Sequence, residues 1–119
     1  MVRDGEPWSM SAVMKKIFSY EEALALIPQV RQITTEAVEE LDGLPQADAE
    51  EESLERSADY QRIVSSWADS ILGLGIEVKG LWLIDFDNGS GYYCWKHPES
   101  SLQYFHGYDE GFTGRVKLN

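Results

Sequence analysis

Between Tyr20 and Leu44 a seam recurs at intervals of 3, 4, 3, 4, 3, 4 and 3: Tyr20, Ala23, Ile27, Val30, Thr34, Ala37, Leu41 and Leu44. That spacing puts every member on one face of an α-helix. Both ends are marked. Ser19 and Glu22 stand at capping-box spacing, the hydroxyl taking the Glu22 N–H and the carboxylate returning to the Ser19 N–H. At the far end Gly43 is expected to supply a left-handed exit and Pro45 to forbid continuation, with Leu44 falling past the helix end. Pro28 lies inside and is expected to kink the helix by removing one backbone bond.

A second helix follows in DAEEESLERSADYQRIVSSWADSILGLG. Asp48 and Glu51 repeat the capping spacing, and Glu50 to Glu52 suit the positive end of the helix dipole. Tyr60, Val64, Trp67, Ile71 and Leu74 make the matching seam, and Gly75 is the stop. This helix should run about 39 Å at 1.5 Å per residue. The link over residues 43–48 is short, and short links join antiparallel neighbours, so the pair is an αα-hairpin. Leu24, Leu26, Ile33, Ile63 and Leu72 broaden its base. From Glu36 to Asp59 there are ten carboxylates and one base, Arg56, which reads as a solvated tip rather than a calcium loop.

After Gly75 the period changes. GLWLIDF, GYYCWKH and SLQYFHG are short, bulky and bounded by turn residues, which predicts three antiparallel strands joined through DNGSG and HPESS. Ile76 to Lys79 add a short lead-in strand, and YDEGFTGRVKLN is a loop. Alternation places Trp82, Ile84, Phe86, Tyr93, Trp95 and Phe105 on one face, toward the hairpin base. Asp85, Cys94 and His106 then share the other face, provided no strand slips by one residue. The fold class is therefore α+β, an antiparallel helical hairpin followed by a three-stranded meander packed on its base. Residues 1–16 read as a flexible tail in which Trp8 and Met14 could dock. Residues 17–119 read as one domain, the hairpin at about 20–74 and the sheet and C-terminal loop at about 76–119.

Charge excludes some functions. Ten basic residues face 21 acidic ones, a net charge of −11. Phosphate neutralisation needs clustered Lys and Arg, so neither nucleic acid nor an anionic membrane is an expected partner. A single cysteine cannot form an internal disulfide, and the first residues lack a continuous apolar run. Both features point to a reducing, cytoplasmic setting.

Several motifs resemble an uncharacterised family of short bacterial and archaeal proteins, a domain of unknown function. FSYEEALALIPQV is similar to its FTLEEANALLPEL-like opening, and LWLIDF to its GLVDFP-like strand, with Asp87 where proline is usual. YCW at Tyr93 to Trp95 is similar to its LCW. YFHG is similar to its YWHE, with Phe105 for tryptophan and Gly107 for the acid. GFTGR, Gly111 to Arg115, is similar to its GFAGR. The resemblance spans about residues 17–115. It implies the hairpin-plus-sheet fold and no activity, and it has no counterpart for His97.

Two chemistries can be built from the sheet residues. One is a metal site of Cys94 and His106 with a carboxylate from Asp85, Asp109 or Glu110, ligands suited to a divalent transition metal such as zinc. Cys94 and His97 also have C-x₂-H spacing, but on a regular strand they point to opposite faces. The other is a Cys94 nucleophile with His106 as base and Asp85 orienting it. Against these stands a structural reading: Cys94 in the core, His106 hydrogen-bonded within the sheet, and Arg115 pinning the C-terminal loop to an acid such as Asp85. On that reading the protein is an acidic, non-catalytic binding or assembly module with no cofactor. It would meet a protein partner or another copy of itself as a homodimer, with Tyr92, Tyr104 and Tyr108 supplying contact area. The alternative is a metal-binding protein, including a metal-dependent hydrolase.

Overall fold

The computed structural model describes residues 16–45 and 50–118, the side chains of 50–55 excepted. Helix α1 spans Tyr20–Asp42 and α2 spans Glu50–Leu72. The capping box at Ser19 forms as the sequence predicts, with Glu22 N–H to Ser19 Oγ at 3.0 Å and Ser19 N–H to Glu22 Oε1 at 2.9 Å. The corresponding pair at Asp48 and Glu51 lies outside the described residues, as do Trp8 and Met14. The exit of α1 differs from expectation. Gly43 is right-handed, φ −81° and ψ −4°, and its N–H continues the helical ladder to the Glu39 carbonyl at 3.0 Å. Left-handed backbone appears instead at Gly75, φ 86°, where the chain leaves the turn after α2.

Ala23, Ile27, Val30, Thr34 and Ala37 are buried along α1, with Tyr20, Leu41 and Leu44 packed at the margins. Ile63, Trp67 and Ile71 answer them from α2. The small residues of α1 leave room for the indole of Trp67, whose Nε1–H donates to Thr34 Oγ1 at 2.8 Å. The buried stripe is narrower than the sequence predicts. Tyr60, Leu24 and Leu72 are exposed, the last at 53%, because the sheet reaches only part of the base. Among the described residues no helix is long and apolar enough to cross a membrane.

The sheet has five antiparallel strands in chain order: β1 Glu77–Gly80, β2 Leu83–Asp87, β3 Tyr92–Lys96, β4 Tyr104–His106 and β5 Val116–Lys117. The α+β architecture and the meander stand as predicted. The additions lie at the edges: the lead-in segment pairs as β1, and two residues of the tail, expected to be looped, pair with β4 after a 3₁₀ turn at Phe112–Gly114. The first predicted strand is shorter than expected. Leu81 and Trp82 form the β1–β2 turn, where Trp82 takes φ 59°, unusual for a bulky residue. Packing accounts for it: the turn delivers the Trp82 ring edge-on to Trp67, centroids 4.8 Å apart.

Register then follows the alternation. Ile84 opposes Trp95, Phe86 opposes Tyr93, and Tyr93 opposes Phe105. Ile84, Phe86 and Trp95 are fully buried and join Phe18, Leu102 and the helical seams in one core. Burial of side chains this size is worth about 1.5–3 kcal/mol each. Phe18 ties the entry of α1 to the end of β2, its N–H reaching the Asp87 carbonyl at 2.7 Å and its ring meeting Phe86 edge-on at 5.2 Å. One sheet face is thus spent on the hairpin, and the C-terminal segment folds across the other.

Candidate metal centre

Asp85 on β2 is the direct cross-strand partner of Cys94 on β3. His106 on β4 pairs with Tyr92, two residues before Cys94, and so lies diagonal to the thiol on the same face. The Asp85 carboxylate, the Cys94 sulfur and a His106 ring nitrogen all lie within 4.8 Å of one another, and all three residues are buried. They form one wall of a cavity of about 280 Å³ that Lys79, Tyr92, Tyr108, Glu110 and Phe112 help to close.

The hydrogen bonds of His106 constrain its protons. Nδ1 is 2.9 Å from the Gly107 carbonyl, and Nε2 is 2.9 Å from Asp85 Oδ2. A carbonyl only accepts, so Nδ1 carries a hydrogen. One positive charge is shared between Nε2 and Oδ2: a proton, which makes the contact an imidazolium–carboxylate hydrogen bond, or a metal ion that both atoms would ligate. Asp85 Oδ1 is also buried and, among the described residues, has no N–H or O–H donor. A proton between Nε2 and Oδ2 would leave Oδ1 only the weak S–H of Cys94 as a donor. A metal would use all three groups, with the Nδ1–H bond to Gly107 fixing the ligating tautomer.

Electrostatics without a metal run against charge. Burial raises the Asp85 carboxyl, opposed by the charge and hydrogen bond of His106. Burial pushes the Cys94 thiol up to about 12, and the adjacent Asp85 carboxylate adds to the rise. A coordinated divalent cation would invert both. A cation would draw the ligand atoms into new positions. Tetrahedral zinc would separate a nitrogen and an oxygen by about 3.4 Å and a sulfur from either by about 3.6 Å, so the 2.9 Å His106–Asp85 edge must open by about half an ångström and the sulfur, in a cluster spanning 4.8 Å, must move inward.

The other candidate residues go elsewhere. Asp109 is exposed on the turn after β4. Glu110 borders the cavity, but its Oε1 accepts the Gly107 N–H at 2.8 Å. His97 sits on the β3–β4 turn beside Trp95. Arg115 pairs with Glu99 Oε2 at 2.8 Å rather than with Asp85, because the turn through Pro98 brings Glu99 under the C-terminal segment. The nucleophile scheme is disfavoured by the thiol itself, which burial and the neighbouring Asp85 carboxylate keep protonated, and His106 Nε2 is directed to Asp85 rather than to the sulfur. Sequence reasoning missed Glu99 and gave Asp87 no role. Asp87 is buried, accepts from Tyr108 Oη–H at 2.6 Å and from the Gly89 N–H at 2.9 Å, and shares the face of Asp85 two residues on. That period of two was the available signal; Glu99 had none.

Residues 16–118, which carry every element described above, match the family described as "Uncharacterized conserved protein (DUF2203)". The chain belongs to that family. DUF2203 membership fits the fold and carries no activity with it. No curated protein and no solved structure matches the chain.

Proposed function

We propose that the protein binds one divalent transition metal of the zinc class through Asp85, Cys94 and His106 Nε2. The observation that supports this reading is the cluster itself: ligand atoms of Asp85, Cys94 and His106 lie within 4.8 Å of one another, all three residues are buried, and among the described residues Asp85 Oδ1 has no N–H or O–H donor. Carboxylate, imidazole and thiolate are zinc ligands, and the thiolate disfavours magnesium and calcium. Three protein ligands beside a cavity suit an open centre rather than a closed structural one. A metal there would supply Lewis acidity toward a small ligand, which fits a metal-dependent hydrolase. Elemental analysis of protein purified without a histidine tag tests this. One equivalent of zinc, iron or manganese, lost in Cys94→Ser and His106→Ala, is the expected result; metal-free protein that takes up none on addition sinks it.

A second reading, a partner-binding or self-associating module, draws on the sheet edge. β5 ends the strand order, and Val116 on it is 59% exposed. Pairing of two copies along β5 would extend the sheet. Tyr92 and Tyr104 add little to such a surface, the first being buried against Tyr108 and the second half-buried against Arg115. Light scattering with Val116→Lys tests it: a dimer that dissociates supports the reading, and a wild-type monomer removes it.

A further inference from the structure

We infer that Arg115 is a positioning residue for the Cys94 sulfur, donating an N–H to the lone pair that a metal would leave unused; this rests on the metal reading above. The guanidinium is closely packed. Its Cζ lies 3.9 Å from the ring centroid of Tyr104 and 4.1 Å from that of Phe112. Its Nη1 is 2.8 Å from Glu99 Oε2 and 3.9 Å from Cys94 Sγ, and its side chain is only 12% exposed.

The anchor is itself fixed. Glu99 Oε1 accepts the Lys96 N–H at 2.9 Å, the Glu99 carbonyl accepts the Trp95 Nε1–H at 2.9 Å, and the Glu99 N–H reaches the Lys96 carbonyl at 2.8 Å. Two rings set the plane of the guanidinium and a carboxylate sets its rotation. A loop pin would need the carboxylate alone. What the pin does not explain is why the same Nη1 is brought to the sulfur of a buried cysteine. A thiolate on a metal keeps lone pairs that accept such a bond, and partners of this kind are worth 10–100-fold in metal affinity.

Cobalt(II) is the probe, because its bond to sulfur gives a charge-transfer band that reports the sulfur's environment. Arg115→Met keeps a stem between the rings and removes the donor. The expected result is cobalt affinity lowered 10–100-fold and the band moved to lower energy, since an unbonded thiolate gives up charge more readily. Arg115→Lys should recover part of both. If Arg115→Met fails to fold, Glu99→Gln, which loosens the anchor and leaves the guanidinium, should move the band the same way by less. A variant that binds cobalt with the band unmoved overturns the inference alone, even if its affinity falls, because loop loosening would account for that fall. A wild-type protein that binds no cobalt overturns the metal reading, and this inference with it.

Discussion

Trp67 and Thr34 meet across the helical hairpin in a buried hydrogen bond, indole Nε1–H to Oγ1 at 2.8 Å. It is a polar contact inside an otherwise apolar seam, so it fixes which turn of α1 faces which turn of α2. Removing the acceptor leaves the indole N–H buried and unsatisfied. Thr34→Val, similar in volume, should lower stability by about 1–3 kcal/mol, while Thr34→Ser, which keeps the hydroxyl, should cost less. Urea unfolding with unchanged slope checks this; a Thr34→Val variant as stable as the wild-type protein would show that the bond contributes nothing.

Cys94 sets a pH signature for metal-stripped protein. With its thiol at about 12, against 9.0 for a free one, the thiolate fraction at pH 8 is about a thousandfold lower than in the unfolded chain. Iodoacetamide should therefore label the folded, metal-free protein slowly, the rate rising with pH toward 12. The folded state keeps a proton that the unfolded chain releases above pH 9.0, so the metal-free protein should lose stability as pH climbs from 9.0 toward 12. Rapid labelling below pH 7 would mean that the thiolate is stabilised without a metal.

Gly91 immediately precedes β3 and packs against β4. A Cβ there would lie 2.7 Å from the His106 carbonyl oxygen and 2.7 Å from Phe105 Cζ. Gly91→Ala should cost about 1–3 kcal/mol by displacing β4, and should weaken metal binding because His106 moves with it. Gly111→Ala, whose Cβ meets nothing within 4 Å, is the matched control and should be silent. Calorimetry and metal titration on both variants check the pair; a Gly91→Ala variant with wild-type melting would contradict the close approach.

The features that could be read from the chain were periodic ones. The interval pattern of α1 and the alternation in β2 to β4 each repeat a geometric unit, so a few residues determine the rest. That is why alternation alone puts Asp85, Cys94 and His106 on a common face. Departures occur where a tertiary contact decides. Trp82 adopts a left-handed backbone where its ring meets Trp67, and Tyr60 is exposed while Ile63, three residues on, is buried. Val116 joins the sheet only because β4 offers it an edge, which no local pattern announces. Among the site residues, Asp85 is set by alternation on its own strand. The Arg115–Glu99 pair joins segments 16 residues apart in sequence, through a turn whose path no spacing encodes.

Asp85 stands between Ile84 and Phe86, and both neighbours are 0% exposed. Along β2 the two core plugs, Ile84 and Phe86, flank the one carboxylate of the strand that lines the cavity. Among the described residues the helices place no side chain in the Asp85–Cys94–His106 cluster, yet they are the masonry behind the strand that carries Asp85. Loosening their grip would shift Asp85 relative to Cys94 and His106 from behind, without touching any of the three.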